Sequence, residues 1–304
     1  MKILVAHNLR SGTGDAGLYD FVHELGRHGC EVTIRYLNGD ANPCSLVFDA
    51  DGFDCVVASG GDGSVSSICY ALRYTQVPVL AFPAGTANLI AANLGLPPDP
   101  LKLARIALEG RQMAFDMGEL THLGSTEPLP QEERCGFMVI AGAGYDATIM
   151  ERAQQLKSAL GVFAYVVGVM QTLTPTHARF RITLDGTPFD SEGIAVLVVN
   201  FAKLQFDLAV THGSDPCDGL FEVAIARSKT AVGLLPAVWS AVLDRVLEYP
   251  DRSRLDVRPA REILVESDPP LRLQYDGEAL ELTTPFGARV LPAAATLIVP
   301  TGLD

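Results

Sequence analysis

The chain has 304 residues, of which 48% are hydrophobic, and a formal net charge of −13 at pH 7. This length and apolar content predict one large domain, or two domains of ordinary size, with a well-buried core. The acidic excess argues against binding to nucleic acid or to anionic membrane surfaces, because both recruit lysine and arginine.

The cysteines and the N-terminal segment predict a cytoplasmic protein. The six cysteines contain no CxxC pair, and we expect reduced thiols. No apolar core of a signal peptide follows Met1, so we expect a chain that is not secreted. The longest apolar run, residues 159–170, is shorter than the roughly 18 residues of a membrane-spanning helix, which predicts a buried helix and no transmembrane segment.

The first third of the chain alternates strand and helix patterns, as in a doubly wound parallel sheet. Apolar residues between positions 18 and 25 fall on one helical face, and Gly29 is well placed as the left-handed residue that ends this helix. The predicted strands are residues 3–6, 32–36, 55–58 and 77–82. We therefore assign residues 1–120 to an α/β domain.

From about residue 135 the pattern alternates with a period of two, which predicts antiparallel strands. Phe180, Ile182 and Leu184 alternate with polar residues before an Asp-Gly turn. Further predicted strands are residues 195–200, 221–226, 263–266, 271–275 and 296–299, with a helix near residues 232–247. We predict that residues 121–287 form a mainly antiparallel β-sandwich domain, with residues 288–304 returning to the α/β domain.

The run Gly60-Gly61-Asp62-Gly63 after the third strand is the first candidate binding site. Helix N-termini favour anions, and a missing Cβ lets a phosphate approach the backbone closely. The run lacks the lysine of a Walker loop and the spacing of GxGxxG, which argues against a P-loop enzyme and an ordinary dehydrogenase. Asp62 would repel a phosphate unless a cation or a reacting hydroxyl intervenes, as in phosphoryl transfer. A plain helix cap is the alternative role for Asp62.

Two more loops follow strands in this part of the chain. Gly85, Thr86 and Asn88 offer a close backbone approach, a hydroxyl and an amide at a helix start, although Thr86 also suits a plain N-cap. Residues 8–14 form another glycine-containing loop, with Arg10 as its cation. Ligands of open α/β sheets bind where strands end, so both loops join the candidate phosphate site.

Two acidic turns lie in the second half of the chain. Asp215 and Asp218 occur beside several carbonyl groups in one turn, which suits a hard cation such as Mg²⁺. Asp276 and Glu278 flank Gly277 after a predicted strand, and either carboxylate could take a proton from a hydroxyl. For both turns the alternative is an ordinary hairpin.

In this order, these strings resemble the diacylglycerol kinase catalytic family, which includes soluble bacterial lipid kinases and sphingosine kinases. The resemblance spans nearly the whole chain and rests on residues 8–12, 60–64, 83–91, 116–118, 218–220 and 276–278. It implies a nucleotide-binding α/β domain, a β-rich domain and a cleft between them. In that cleft a lipid hydroxyl would meet the γ-phosphate of ATP.

The resemblance also implies a role for each matching residue. Glu278 would be the general base, with Asp276 beside it as a further catalytic residue. The residues implied to line the ATP phosphates are Asn8, Ser11, Gly12, Gly60, Gly61, Gly63, Ser64, Gly85, Thr86 and Asn88. Those implied to bind Mg²⁺ are Asp62 and Asp116 at a catalytic ion, and Asp215, Asp218 and the Leu220 carbonyl at a structural ion.

The chain departs from the family pattern at several positions. Leu9 replaces a usual proline, and Leu89 stands where an aspartate is common. Ser66 and Ser67 replace a frequent Asn-Glu pair, and Leu37 lies near a position where many members have a nucleotide-contacting threonine. The phosphate-facing strings are intact, so we predict an active enzyme.

We therefore predict an ATP- and Mg²⁺-dependent kinase that phosphorylates diacylglycerol or a similar lipid alcohol. An NAD kinase, which shares the Gly-Gly-Asp-Gly turn, and a noncatalytic nucleotide- or lipid-binding protein are the alternatives. The expected partner is a lipid reached by transient peripheral contact with a membrane, and a homodimer is also considered. Residues 159–173 are expected to form a core helix, with an acyl-chain groove as the alternative.

Overall fold

A computed structural model describes residues 1–10, 15–37, 42–144, 175–201, 215–228 and 255–302. The predicted site residues Ser11 and Gly12 lie outside these ranges, as do the helices expected at residues 159–170 and 232–247. Among the described residues, no helix combines the length and the apolar content that crossing a membrane requires.

The α-helices of the described residues lie in the first part of the chain. They are α1 Asp15–Arg27, α2 Asp62–Ala71, α3 Leu89–Asn93 and α4 Pro100–Glu109. Gly29 adopts a positive φ of 76° just after α1, as its place in the sequence predicts. The side chain of Asp99 caps α4 by accepting two backbone N–H groups.

The strands occur throughout the described ranges. In chain order they are β1 Lys2–Asn8, β2 Glu31–Leu37, β3 Cys55–Gly60, β4 Val79–Pro83, β5 Arg111–Leu123, β6 Cys135–Phe137, β7 Ile140–Ala143, β8 Ala178–Leu184, β9 Thr187–Gly193, β10 Ala195–Val199, β11 Phe221–Ala226, β12 Leu255–Ala260, β13 Glu262–Asp268, β14 Arg272–Tyr275, β15 Glu278–Thr283 and β16 Phe286–Val299.

The first sheet has ten strands and combines a parallel and an antiparallel half. Its order is β2-β1-β3-β4-β16-β13-β8-β9, and β5 pairs with both β16 and β6. Strands β1 to β4 are mutually parallel, and β3 is buried along its whole length, as expected for a strand covered on both faces. The predicted parallel α/β sheet is confirmed.

The second sheet is antiparallel and packs on the antiparallel half of the first. Its six strands follow the order β12-β11-β10-β7-β14-β15. Phe180 and Val265 of the first sheet share one buried apolar cluster with Val198 and Phe221 of the second. This arrangement confirms the predicted β-sandwich.

Strands β5 and β16 connect the two halves of the first sheet. They pair along their length, from Phe286 opposite Leu123 to Val299 opposite Arg111. The strand expected at residues 296–299 is thus only the last part of a 14-residue strand. Its interior contains Pro292 within an irregular register, the setting in which a strand tolerates proline. The domain boundary at residue 120, which falls inside β5, stays a prediction.

A core substitution tests the packing of α1 on the parallel sheet. Phe21 is fully buried, and its ring centroid lies 5.2 Å from that of Phe82 in an edge-to-face contact. We expect Phe21→Ala to lower the free energy of unfolding by about 3–5 kcal/mol, because it removes apolar contacts and leaves a cavity. On the same helix, Tyr19 is 72% exposed, and Tyr19→Ala should change this energy by no more than about 0.5 kcal/mol. Urea unfolding measures both, and equal effects would contradict the packing.

Candidate active site

Three loops meet at the carboxyl-terminal edge of the parallel strands. Asn8, Gly60 and Pro83 are the last residues of β1, β3 and β4, which pair in the same direction. Nδ2 of Asn8 donates to Oγ of Ser64 at 2.8 Å and ties the first loop to the second. Ligands of open α/β sheets bind at such an edge, where helices begin.

The two glycine turns, residues 60–63 and 85–88, touch through their backbones. A Cβ on Gly85 would lie 2.5 Å from Cα of Gly61, so no side chain fits between the turns. A Cβ on Gly60 would lie 2.7 Å from Cβ of Ser64. Asn88 closes the second turn, because its Oδ1 accepts the Gly85 N–H and its Nδ2 donates to the Gly85 carbonyl, both at 2.8 Å. A larger residue would therefore displace the Gly61 backbone at position 85 and the Ser64 side chain at position 60.

Asp62 links the two turns. It is the first residue of α2, is 7% exposed, and accepts the backbone N–H of Ile90 on Oδ1 at 2.8 Å. Burial raises the pKa of Asp62, while backbone hydrogen bonds at Ile90 and Leu89 oppose the rise. Asp62 thus caps α3, a helix other than the one that it begins. A carboxylate has about four lone-pair positions, so capping does not exclude a cation ligand.

Asn88, and not Thr86, occupies the N-cap position of α3. Thr86 lies two residues earlier and is exposed, so it does not have the plain capping role that was the alternative for it. At the start of α2, the N-cap residue Gly61 supplies no side-chain cap. Within the described ranges, the backbone N–H groups of Gly63 and Ser64 have no protein hydrogen-bond acceptor. Such N–H groups attract anions.

Glu278 brings a carboxylate from the far end of the chain to the first glycine turn. It is the first residue of β15, directly after the turn that follows β14. A Cβ on Gly63 would lie 2.9 Å from Cδ of Glu278, and closer still to its Oε1. Glu278 is exposed, and no hydrogen bond or ion pair engages its carboxylate in the part of the chain that the structure describes.

Asp276 has a different environment from Glu278. It is 5% exposed, and its oxygens accept the hydroxyl of Ser66 and the backbone N–H groups of residues 138–140. Burial raises the pKa of Asp276 to about 6, although Ser66 and these N–H groups oppose the rise. The structure thus distinguishes two carboxylates that the sequence treats alike, because Asp276 is enclosed by donors and Glu278 borders the glycine turn.

Asp116 belongs with the turn that contains Asp215 and Asp218. It is 2% exposed, and its oxygens accept the backbone N–H groups of Gly219 at 2.6 Å and Ala293 at 2.7 Å. Asp215 and Asp218 are exposed, and each accepts a backbone N–H from two residues further on. Across the described ranges, no group of three His, Cys, Asp or Glu side chains could hold a metal ion. A cation here would also need carbonyl, phosphate or water oxygens.

Sequence reasoning missed two buried residues of this region. In the sequence, Ser66 stands out only as a departure from the family pattern, yet it is fully buried and donates to Asp276. Asn200 is 1% exposed, and its Nδ2 donates to the carbonyls of Asp116 and Met138 at 2.9 Å. The available signal was weak, namely a polar residue beside an apolar helical stripe and another at the end of an apolar strand.

The contact between the two turns can be tested with an added methyl group. Gly85→Ala should weaken ATP binding at least about tenfold, because the new Cβ would displace the Gly61 backbone. Gly26→Ala in α1 is the control, since its Cβ would meet no atom within 4 Å and should stabilise the helix by up to about 1 kcal/mol. Calorimetric titration with ATP and thermal unfolding measure both effects. Normal ATP binding by Gly85→Ala would contradict this geometry.

Comparison with known proteins supports the resemblance in both halves of the chain. Residues 2–120 match the family model of the diacylglycerol kinase catalytic domain, and residues 139–299 match that of the YegS C-terminal NAD kinase beta sandwich-like domain. A diacylglycerol kinase of Mycobacterium tuberculosis is 26% identical over 313 residues, covering 98% of this chain and 95% of that protein. An uncharacterized protein of Synechocystis is 29% identical over 256 residues, covering 83% of this chain but only 56% of its relative.

The fold also matches a solved structure. The crystal structure of a diacylglycerol kinase from Bacillus anthracis superposes with a TM-score of 0.75 at 19% identity, covering 100% of this chain and 98% of that one. At this identity the likeness shows the fold alone. The two family models include both glycine turns and both acidic turns of the candidate site. The chain therefore belongs to the diacylglycerol kinase catalytic family, as its sequence motifs predict.

Proposed function

We propose that the protein transfers the γ-phosphate of ATP to the hydroxyl group of a lipid alcohol such as diacylglycerol. Membership of a kinase family supports the use of ATP. One observation carries the proposal, namely that the Glu278 carboxylate borders Gly63 in the turn expected to hold the phosphates. A base for the acceptor hydroxyl and a binding site for the donor phosphate thus lie side by side.

The proposed phosphate site consists mainly of backbone groups. The unpaired N–H groups of Gly63 and Ser64 at the start of α2 suit a phosphate oxygen, and the helix dipole adds to this attraction. Gly60 and Gly61 leave no Cβ between the backbone and the ligand. The whole proposed set is Asn8, Ser11, Gly12, Gly60, Gly61, Gly63, Ser64, Gly85, Thr86 and Asn88.

Asp62 is the proposed protein ligand for a catalytic Mg²⁺. Proteins hold Mg²⁺ at phosphate-transfer sites through one or two carboxylates together with phosphate oxygens, so one buried carboxylate beside the phosphate turn fits this ion. The ion would neutralise negative charge on the transferred group. Within the protein, the Ile90 N–H holds Oδ1 of Asp62 at the start of α3.

The second acidic turn is the proposed site of a structural Mg²⁺. The carboxylates of Asp215 and Asp218 and the carbonyl of Leu220 supply the oxygen ligands that this ion prefers. Both oxygens of Asp116 are engaged by backbone N–H groups of Gly219 and Ala293. We therefore propose that Asp116 positions this turn, and that its remaining lone pairs help to hold the catalytic ion directly or through water.

The proposed reaction uses Glu278 as the general base. The lipid hydroxyl oxygen attacks the γ-phosphorus while Glu278 accepts the hydroxyl proton. A new oxygen–phosphorus bond forms as the bond between the γ-phosphorus and the bridging oxygen breaks, and ADP leaves with that electron pair. The N–H groups of Gly63 and Ser64 stabilise charge on the phosphoryl oxygens. Glu278 then releases its proton to water.

Two other functions would use part of the same site. An NAD kinase shares the Gly-Gly-Asp-Gly turn, but the strings at residues 218–220 and 276–278 favour the lipid branch. A noncatalytic binding protein would use the phosphate site but would give no role to the carboxylate that borders it. Because the acceptor is a lipid, we also propose transient contact of the cleft with a membrane surface, together with a homodimeric state.

Radiolabelled ATP distinguishes these functions. We expect transfer of the label into a total lipid extract, with a lipid phosphate as the product. Label in NADP, from an assay with NAD⁺, would instead indicate an NAD kinase. ATP binding without any labelled product would indicate a noncatalytic protein.

Glu278→Gln tests the general base. Loss of the proton acceptor should lower turnover by about 100- to 10,000-fold, while the shape of the side chain is kept. Glu281→Gln, at an exposed position on the same strand, should leave turnover within about twofold of the original. Lipid phosphorylation per folded molecule is the measurement, and near-normal turnover by Glu278→Gln would refute the assignment.

Asp62→Asn separates metal binding from helix capping. Asparagine keeps an oxygen that can accept the Ile90 N–H but removes the negative charge. We expect thermal stability to be nearly retained, turnover to fall by about 100-fold or more, and the Mg²⁺ concentration for half-maximal activity to rise. A variant that loses stability but keeps its Mg²⁺ response would show that Asp62 is only a cap.

A further inference from the structure

We infer that Ser66 and Asp276 form a latch between the α2 helix and the second sheet, and that this latch sets the position of Glu278 against Gly63. In this role both are positioning residues for phosphoryl transfer. The inference rests on the proposed function, because it concerns the placement of the proposed base. In this role Asp276 positions Glu278 and does not itself contact the substrate.

The latch is a buried carboxylate surrounded by donors. Oδ2 of Asp276 accepts the Ser66 hydroxyl and the Met138 N–H, the latter at 2.8 Å. Oδ1 accepts the N–H groups of Val139 at 2.8 Å and Ile140 at 3.0 Å. Hydrogen bonds to a charged group are about twice as strong as neutral ones, so four of them hold this side chain in one place.

The backbone of Asp276 is held as firmly as its side chain. Its N–H donates to the Ile140 carbonyl at 2.8 Å, and it has a positive φ of 45°, followed by 84° at Gly277. Two consecutive positive φ values define a tight hairpin turn that places Glu278 at the first position of β15. The position of the Glu278 backbone therefore follows from that of Asp276.

Two contacts along one helix match two contacts along this turn. Gly63 and Ser66 are three residues apart in α2 and so share one face of the helix. Gly63 meets the Glu278 carboxylate, and Ser66 meets the carboxylate of Asp276. A single contact would leave the turn free to pivot against the helix. A second contact one helical turn away fixes both the distance and the angle.

The backbone of residues 138 and 139, which donates to Asp276, also accepts hydrogen bonds through its carbonyl groups. The Met138 carbonyl accepts the Asn200 side chain at 2.9 Å, and the Val139 carbonyl accepts backbone N–H groups of Asn200 at 3.0 Å and Phe201 at 3.3 Å. Donors and acceptors of this segment are thus used on both sides. Of the donors to Asp276, only Ser66 belongs to α2, so its hydroxyl supplies the hydrogen bond from the helix to this carboxylate.

Removal of this hydroxyl should move Glu278 without unfolding the protein. In Ser66→Ala, the three backbone N–H groups still satisfy Asp276. A misplacement of about 1 Å at a reacting group can lower a rate about 100-fold. We expect a fall in kcat of about 10- to 100-fold, with KM for ATP and the calorimetric Kd for ATP changed by less than about twofold.

Three further variants separate positioning from stability. Thr75→Ala is the matched control, because among the described residues its hydroxyl bonds only to the Leu72 carbonyl beyond the end of α2, and its loss should leave kcat unchanged. Ser66→Thr keeps the hydroxyl and should restore most of the activity. In a Glu278→Gln background, Ser66→Ala should change the residual kcat by less than about twofold, because the base that it positions is absent.

Failure of the proposed function and failure of the latch would give different results. An inactive wild-type protein, tested with lipids and with NAD⁺, would overturn the proposed function and the latch with it. An active wild type with normal kcat in Ser66→Ala would overturn the latch alone. The same fractional loss from Ser66→Ala in both backgrounds would also overturn it, since a general structural effect does not depend on Glu278.

Discussion

A buried carboxylate must be surrounded by hydrogen-bond donors, and the way Asp276 meets this requirement organises much of the molecule. Its donors come from a helix of the parallel half and from the segment that leads into the second sheet. Satisfying one charge therefore fixes how these two parts meet. An arrangement in which they separate would leave the carboxylate, or the N–H groups of residues 138–140, without partners in a region that excludes water. The geometry of the cleft therefore depends on the hydrogen bonds that Asp276 accepts.

A second buried carboxylate extends the same principle to the other acidic turn. Asp116 accepts N–H groups from Gly219 and from the irregular part of β16 at Ala293. Asn200 joins the two centres, because its side chain donates to the Asp116 carbonyl and to the Met138 carbonyl. The proposed chemistry of the site thus rests on a polar framework between the sheets. In this framework, Asp116 and Asp276 shape the turns, while Glu278 and the exposed carboxylates of the second turn stay accessible.

Close packing around the glycine residues also shapes the site. Gly61 and Gly85 bring two turns into backbone contact, and Gly63 makes room for the Glu278 carboxylate. These glycines serve different neighbours, although the sequence presents them as one phosphate-binding pattern. The turn is therefore shaped by the protein that surrounds it as well as by the ligand that it is proposed to hold.

Residue types and their spacing predict the four parallel strands, the antiparallel alternation of the second half, the places of the glycine and acidic turns, and the family. These features depend on residue type and on spacing along the chain, and both can be seen without the fold. The folded chain was needed to show that Asp276 is enclosed while Glu278 is open, that Asp116 belongs with the second acidic turn, and that Ser66 contacts residue 276. Two carboxylates separated by one glycine look equivalent in a sequence. Their difference comes from donors supplied by segments far away in the chain, and folding alone brings those donors together.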